Sequence, residues 1–263
     1  MLKLLLFLFI NVLYGQSNIP PSKAYYFTQK LDHFNAQDMR TFKQRYLMYD
    51  YYWDRLNNGP ILFYAGNEGP ITDFYNNTGF MFDIAPQFRG LVLFCEHRYY
   101  GETQPFGNDY STKNLQWLSM AQAIADYAVF IEYIKKSYNV TSKVIVFGGS
   151  YGGILAGLLR IHYKSQFDMA LAASAPVLQT MDKTDPTVFW KLITQDYYNV
   201  NTKCPDIVRA GYAQLIELKN QGNYAAINSE FNLCPGISDD SGFKLLLDWS
   251  RNAFVTMAMA DYP

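Results

Sequence analysis

Gly148-Gly149-Ser150-Tyr151-Gly152 is the segment of this chain best suited to covalent chemistry, and Gly153 extends its glycine run. A serine with glycines two before and two after fits the sharp turn that lifts a nucleophilic hydroxyl off the end of a strand. Five residues with three fixed recur by chance, so the setting carries the reading. The apolar run Lys143 to Phe147 precedes the motif, and a helical stretch from about 152 to 163 follows it. Strand, turn and helix in that order strain the backbone of the central residue, and minimal side chains let helix and strand approach. Ser150 then stands at the carboxyl end of a sheet. The backbone N–H of Tyr151, at a helix N-terminus, faces the oxyanion of a tetrahedral intermediate. A plain glycine-rich turn is the alternative.

A second oxyanion donor belongs to the loop after an earlier strand, where Gly66-Asn67-Glu68-Gly69 is the glycine-rich segment, so Gly66 and Asn67 are its candidates. Glu68 is a candidate for meeting a cationic substrate group, or Arg98 across the neighbouring loop; bracing its own loop is the plainer role. The polar cluster Glu96-His97-Arg98 follows another buried run and is assigned to the substrate side.

A serine hydroxyl needs a base held by an acid. The chain has three histidines. His162 is twelve residues beyond Ser150 on the same helix, roughly 18 Å along its axis, and cannot be the base. His33 precedes the whole sheet, whereas acid and base follow the nucleophile in the hydrolase order. His97 fits a structural or substrate-side role better. The base that would activate Ser150 is therefore expected outside these residues.

The elements that must position this chemistry alternate from about Thr41 to Val177. Phe42 to Trp53 interleaves aromatics with polar residues and predicts strands at a sheet edge. Pro60 to Ala65, Gly90 to Cys95, Lys143 to Phe147 and Met169 to Ala175 are four short apolar runs, the last stopped by Pro176. Between the second and third, Leu115, Leu118, Ala121, Ile124, Ala125, Ala128, Ile131 and Ile134 recur at helical spacing, predicting one helix from Leu115 to Tyr138. Buried strands separated by helices predict a mostly parallel sheet covered on both faces. After Pro176 the strands vanish, and helical patterns cover Val188 to Tyr198, Asp206 to Lys219, Tyr224 to Phe231 and Phe243 to Met259. The expected organisation is 1–17, 18–177 and 178–263: a signal peptide, a sheet domain carrying the elbow, and a helical cap.

Bulk composition excludes more than it names. The 263 residues are 49% hydrophobic and 17% charged with a net charge of −1, too apolar for a disordered chain and without the basic stripe of a nucleic-acid partner. Residues 1–17 order one lysine, an apolar run from Leu4 to Ile10 and small residues at Gly15 and Ser17, as in a cleavable secretory signal. A buried strand or a membrane anchor is the alternative. A secretory route, lysosomal or extracellular, with no membrane association after cleavage is the expectation. It makes Asn76 and Asn139, each in an Asn-X-Thr sequon, candidate glycosylation sites. It also makes Cys204 and Cys234 a candidate disulfide, whose loop of about 30 residues would contribute ~3–4 kcal/mol in the chain-entropy account. Cys95 is expected as a buried free thiol.

Taken together, Gln29-Lys-Leu-Asp-His-Phe34, Gly66-Asn-Glu-Gly69, Glu96-His-Arg-Tyr-Tyr-Gly-Glu102, Gly148-Gly-Ser-Tyr-Gly-Gly153 and Ala173-Ser-Ala-Pro176 closely resemble the serine exopeptidases that cleave after proline, the family of lysosomal Pro-X carboxypeptidase, dipeptidyl peptidase II and thymus-specific serine protease. Phe231-Asn-Leu-Cys234 and Ala258 to Pro263 resemble that family's helical insertion. The resemblance implies an α/β-hydrolase core with a helical cap, Ser150 as nucleophile, a proline-containing peptide as substrate, an acyl-enzyme, and no metal or organic cofactor. Members of the family run to roughly twice this length, with acid and histidine beyond the cap. The expectation is therefore an N-terminal half, with the core's final strands absent and the cap cut short. A lipase or esterase shares the elbow, and a catalytically silent binding protein on the same scaffold is the reading from another class. The resemblance does not separate carboxypeptidase from dipeptidyl peptidase action, and the oligomeric state stays open.

Overall fold

The computed structural model describes residues 19–260, so the expected signal at 1–17 lies outside the described residues. The described residues divide into two compact units, with the boundary between Val177 and Leu178.

The first unit is built on a six-stranded sheet in the order β1-β2-β4-β3-β5-β6. Its strands are β1 (Lys23–Lys30), β2 (Thr41–Tyr49), β3 (Ile61–Ala65), β4 (Leu91–Cys95), β5 (Val144–Gly149) and β6 (Met169–Ala173). β1 pairs antiparallel with β2 and β2 with β4, whereas β4, β3, β5 and β6 run parallel to one another. The period-two alternation of a strand sends Ile61, Phe63 and Ala65 to one core layer and Leu62 and Tyr64 to the other. α1 (Ile71–Asn77) and α2 (Phe80–Phe88) cover the second layer through Ile71, Tyr75, Met81 and Ala85. After the short α3 (Thr112–Leu115), α4 (Met120–Tyr138) and α5 (Tyr151–His162) cover the first layer, among others through Phe130, Ile131, Leu155 and Leu159. This is a partial α/β-hydrolase core, with parallel strands buried on both faces up to β5.

Three expectations need correction. Phe42 to Trp53 is not at the edge: β2 is paired on both sides, which buries Phe42, Tyr46, Leu47 and Met48, and β1 takes the edge. The helix expected from Leu115 starts at Met120, because Ser119 is extended (φ −144°, ψ 154°) and its hydroxyl accepts from the Gln122 N–H at 3.3 Å. Leu118 and Ala121 are accordingly exposed. The last run forms β6 as expected, but all five of its residues are exposed.

The second unit is helical and of the cap type. α6 (Val177–Thr180) leads into it, followed by α7 (Val188–Val200), α8 (Cys204–Asn220), α9 (Tyr224–Phe231) and α10 (Asp240–Met259). Leu215, Ile227, Phe243 and Leu246, one face each from α8, α9 and α10, form its buried centre. The expected Cys204–Cys234 disulfide is not formed. Cys204 is half-buried in the first turn of α8, while the left-handed Asn232 (φ 48°) turns the chain out of α9 and leaves Cys234 exposed as a free thiol. Cys95 is a buried free thiol, its pKa pushed well up by burial.

Candidate active site

β5 ends in Gly148-Gly149, and Ser150 then takes φ 55°, ψ −126°, a left-handed conformation that an L-residue holds only under strain. α5 starts at the next residue. The turn is possible because its neighbours lack side chains. A Cβ on Gly148 would lie 2.0 Å from the Gly152 carbonyl oxygen, and one on Gly153 2.7 Å from that of Ala173. The Ser150 N–H donates to the Ala173 carbonyl at 3.0 Å, tying the turn to the end of β6, and the residue is exposed. The N–H of Tyr151, first in the helix, donates to no group among the described residues.

The loop after β3 reaches the same turn. Gly66 donates to the Cys95 carbonyl at 3.0 Å and accepts from the Tyr127 hydroxyl at 2.5 Å. Asn67 is 6% exposed, and its carboxamide packs where a Cβ on Gly152 would lie, 3.2 Å from its Cγ. Its Oδ1 is buried without a hydrogen-bond partner, and its backbone N–H likewise donates to nothing described. Two N–H groups with no acceptor among the described residues, those of Tyr151 and Asn67, thus belong to segments that meet at the turn carrying Ser150. Such an arrangement can hold a carbonyl oxygen that gains charge as a nucleophile adds to its carbon. Glu68 is exposed, and its carboxylate makes no hydrogen bond or ion pair among the described residues.

The segment after β4 differs from what the sequence suggested. Glu96 and Arg98 do not face a substrate; both are fully buried, with their polar atoms spent inside the protein. Glu96 Oε1 accepts from Arg45 and from the Ile71 N–H, and Oε2 accepts from Thr103 Oγ1 and from the N–H groups of Glu102 and Thr103. Arg98 meets Asp126 through two bonds of 2.7 Å and donates further to the carbonyls of Lys30, Leu31 and Trp117. Asp126, not Glu68, is therefore its carboxylate. His97 is 1% exposed. Its Nδ1 donates to the Arg98 carbonyl at 2.7 Å, which leaves Nε2 as the acceptor for the Tyr151 hydroxyl at 3.0 Å. Burial lowers its pKa below the usual value. His33 Nε2 lies 2.7 Å from Asp126 Oδ1, and His162 ends α5 at the far end from Ser150.

Asp126, Tyr127 and Arg45 were missed in the sequence. The first two stand next to each other inside the apolar stripe of α4, where a carboxylate and a phenol among alanines and isoleucines were the available signal.

A family model described as Serine carboxypeptidase S28 matches residues 29–263. The Lysosomal Pro-X carboxypeptidase of Bos taurus is 41% identical over 243 residues, covering 90% of this chain and 48% of that protein. That of Homo sapiens is 40% identical over 243 residues, covering 90% and 49%. Prolyl carboxy peptidase like protein 5 of Caenorhabditis elegans is 40% identical over 216 residues, covering 78% and 42%. The chain spans about half the length of the curated relatives it matches. The family model runs from the end of β1 through the elbow and across every helix of the second unit, so the chain belongs to the serine carboxypeptidase S28 family, a family of serine peptidases.

Proposed function

We propose that this chain carries the nucleophile and the oxyanion donors of a serine exopeptidase that hydrolyses prolyl bonds near a peptide terminus. Ser150 Oγ adds to the scissile carbonyl carbon while its proton passes to a base outside residues 1–263. The Tyr151 and Asn67 N–H groups hold the resulting oxyanion; the base returns the proton to the leaving nitrogen as collapse expels the amine and leaves an acyl-enzyme, which water hydrolyses. The observation that carries this reading is the strained, exposed Ser150 at a turn where the Tyr151 and Asn67 segments meet, each with a backbone N–H that has no acceptor among the described residues. Exposed Glu68 beside them is proposed to meet a cationic group of the peptide. The relatives' printed names support a Pro-X bond as substrate and a lysosomal destination for a secreted precursor. Asn76 and Asn139, both exposed, are the proposed glycan sites on that route, and residues 178–263 are proposed to be the helical cap unit of the family.

For residues 1–263 acting alone, a catalytically silent scaffold is the second reading. It is favoured by the engagement of His97 on both ring nitrogens, the pairing of His33 with Asp126, and the remote position of His162. The test compares the 263-residue chain with the longest gene product that contains it, using an organophosphonate probe and prolyl peptides. The longer product should label at Ser150, cleave on the carboxyl side of proline and lose both properties on Ser150→Ala; the short chain should do neither. Brisk Ser150-dependent turnover by the short chain would exclude an external base. Failure of the longer product to label at Ser150 would sink the enzymatic reading.

A further inference from the structure

Tyr127 lies on α4, a helix that contributes nothing to the proposed chemistry, and is fully buried. Its ring packs edge-on against Phe63 of β3 and against His97, with centroids 5.5 and 6.4 Å away. Its hydroxyl donates to the Gly66 carbonyl oxygen at 2.5 Å. Burial pushes the phenol's pKa well above its ordinary value, so it keeps its proton and stays a donor.

Gly66 opens the loop that carries Asn67. It approaches β4 so closely that a Cβ would lie 2.3 Å from the Cys95 carbonyl oxygen, so a glycine is needed there. A glycine also frees the peptide that follows it to rotate. That rotation matters because, in a trans peptide, the carbonyl of one residue and the N–H of the next point to opposite sides. The Gly66–Asn67 bond is trans. With the Gly66 carbonyl turned towards α4 by Tyr127, the Asn67 N–H must point away from α4. After a flip, a carbonyl lone pair would stand where that N–H had been, repelling the charge that the loop is proposed to hold.

We infer that Tyr127 is a positioning residue of the oxyanion site: its hydroxyl fixes the Gly66–Asn67 peptide in the orientation that presents the Asn67 N–H to a substrate carbonyl. This rests on the reading of Asn67 as the second oxyanion donor. The hydroxyl touches neither substrate nor nucleophile; it acts through the plane of one peptide bond.

Tyr127→Phe removes one oxygen and keeps the ring. Tyr75→Phe is the control, since the Tyr75 hydroxyl is also buried but has no hydrogen-bond partner and sits in the opposite core layer. In the longest gene product, Tyr127→Phe should lower kcat on a prolyl peptide by about 10- to 100-fold with KM held within about two-fold, because the loss falls on the transition state. Tyr75→Phe should leave both constants unchanged. An unchanged kcat in Tyr127→Phe, or an equal loss in Tyr75→Phe, would overturn the inference. A crystal structure of the 263-residue Tyr127→Phe chain decides the matter separately from turnover. A Gly66 carbonyl that is rotated or occupies two orientations supports the inference; one that keeps its place overturns it. A parent enzyme without turnover would count against the proposed function, and the crystallographic result would still decide for or against Tyr127.

Discussion

His97 has no ring nitrogen to spare, and this settles what it contributes. With Nδ1 donating to the Arg98 carbonyl and Nε2 accepting from Tyr151, the imidazole is a neutral strut between the segment after β4 and the first residue of α5. Burial lowers its pKa in the folded protein, whereas the unfolded chain keeps the ordinary value near ~6.5. Between those two values the unfolded state binds more protons, so stability falls as pH drops from ~6.5 towards the folded pKa and is flat below it. The melting temperature should therefore decline between pH 7.5 and pH 5, and His97→Gln should flatten that decline while lowering stability at pH 7.5. Equal slopes for the two proteins would show that His97 contributes nothing to the pH dependence. Gly148 offers a second test at this scale. Gly148→Ala sets a Cβ against the Gly152 carbonyl with backbone on both sides, so it should cost about 3 kcal/mol or more and disorder the turn. A denaturant midpoint equal to that of the parent would mean that the turn tolerates a side chain after all.

At the scale of elements, the loops that meet the elbow are held by buried ion pairs rather than by apolar packing alone. Arg45 joins Glu96 in the segment after β4, and Arg98 joins Asp126 of α4 while collecting the carbonyls of Lys30, the last residue of β1, and Leu31. Removing the carboxylate or the guanidinium of the Arg98–Asp126 pair would strand the other charge in a fully buried site. Asp126→Asn should cost about 3–5 kcal/mol, because it leaves the buried Arg98 guanidinium without its carboxylate. A single variant within 1 kcal/mol of the parent in urea titration would contradict this account. These contacts explain what the sequence could and could not reveal. The elbow and the parallel strands are legible because strand, turn and helix signals sit side by side in 143–163, and the helical pattern from Tyr224 to Phe231 coincides with α9. β1 is not legible, since Lys23–Lys30 alternates weakly and gains its structure by pairing with β2 across a loop. α1 and α2 were overlooked because Gly79 and Pro86 interrupt a short apolar stretch. The roles of Glu96 and Arg98 depend on partners up to 68 residues away, which no local pattern announces.

For the molecule as a whole, the sheet has one charged edge strand and one uncharged edge strand. β1 pairs only with β2 and carries exposed Lys23 and Lys30 at its ends, whereas β6 pairs only with β5 and, with no strand beyond it among the described residues, bears no charge. Its residues are apolar and uncharged: Met169 is 55% and Leu171 42% exposed, and Ile161 of α5 is 60% exposed. An uncharged apolar edge strand is a template for pairing with another chain, and a lysine on such a strand is a common natural block. The 263-residue chain should therefore self-associate, and Leu171→Lys should shift it towards monomer in light scattering and raise its aggregation onset temperature. Folded stability should change by no more than about 1 kcal/mol, since Leu171 is already 42% exposed and a lysine can lay its stem over the same surface. The second unit supplies the competing explanation, because Trp190 and Trp249 are also exposed there, at 44% and 69%. Trp249→Lys on α10 separates the two. If Trp249→Lys disperses the protein and Leu171→Lys does not, association runs through the helical unit. If the parent chain is already monomeric at working concentration, the uncharged edge is not the liability that its composition implies.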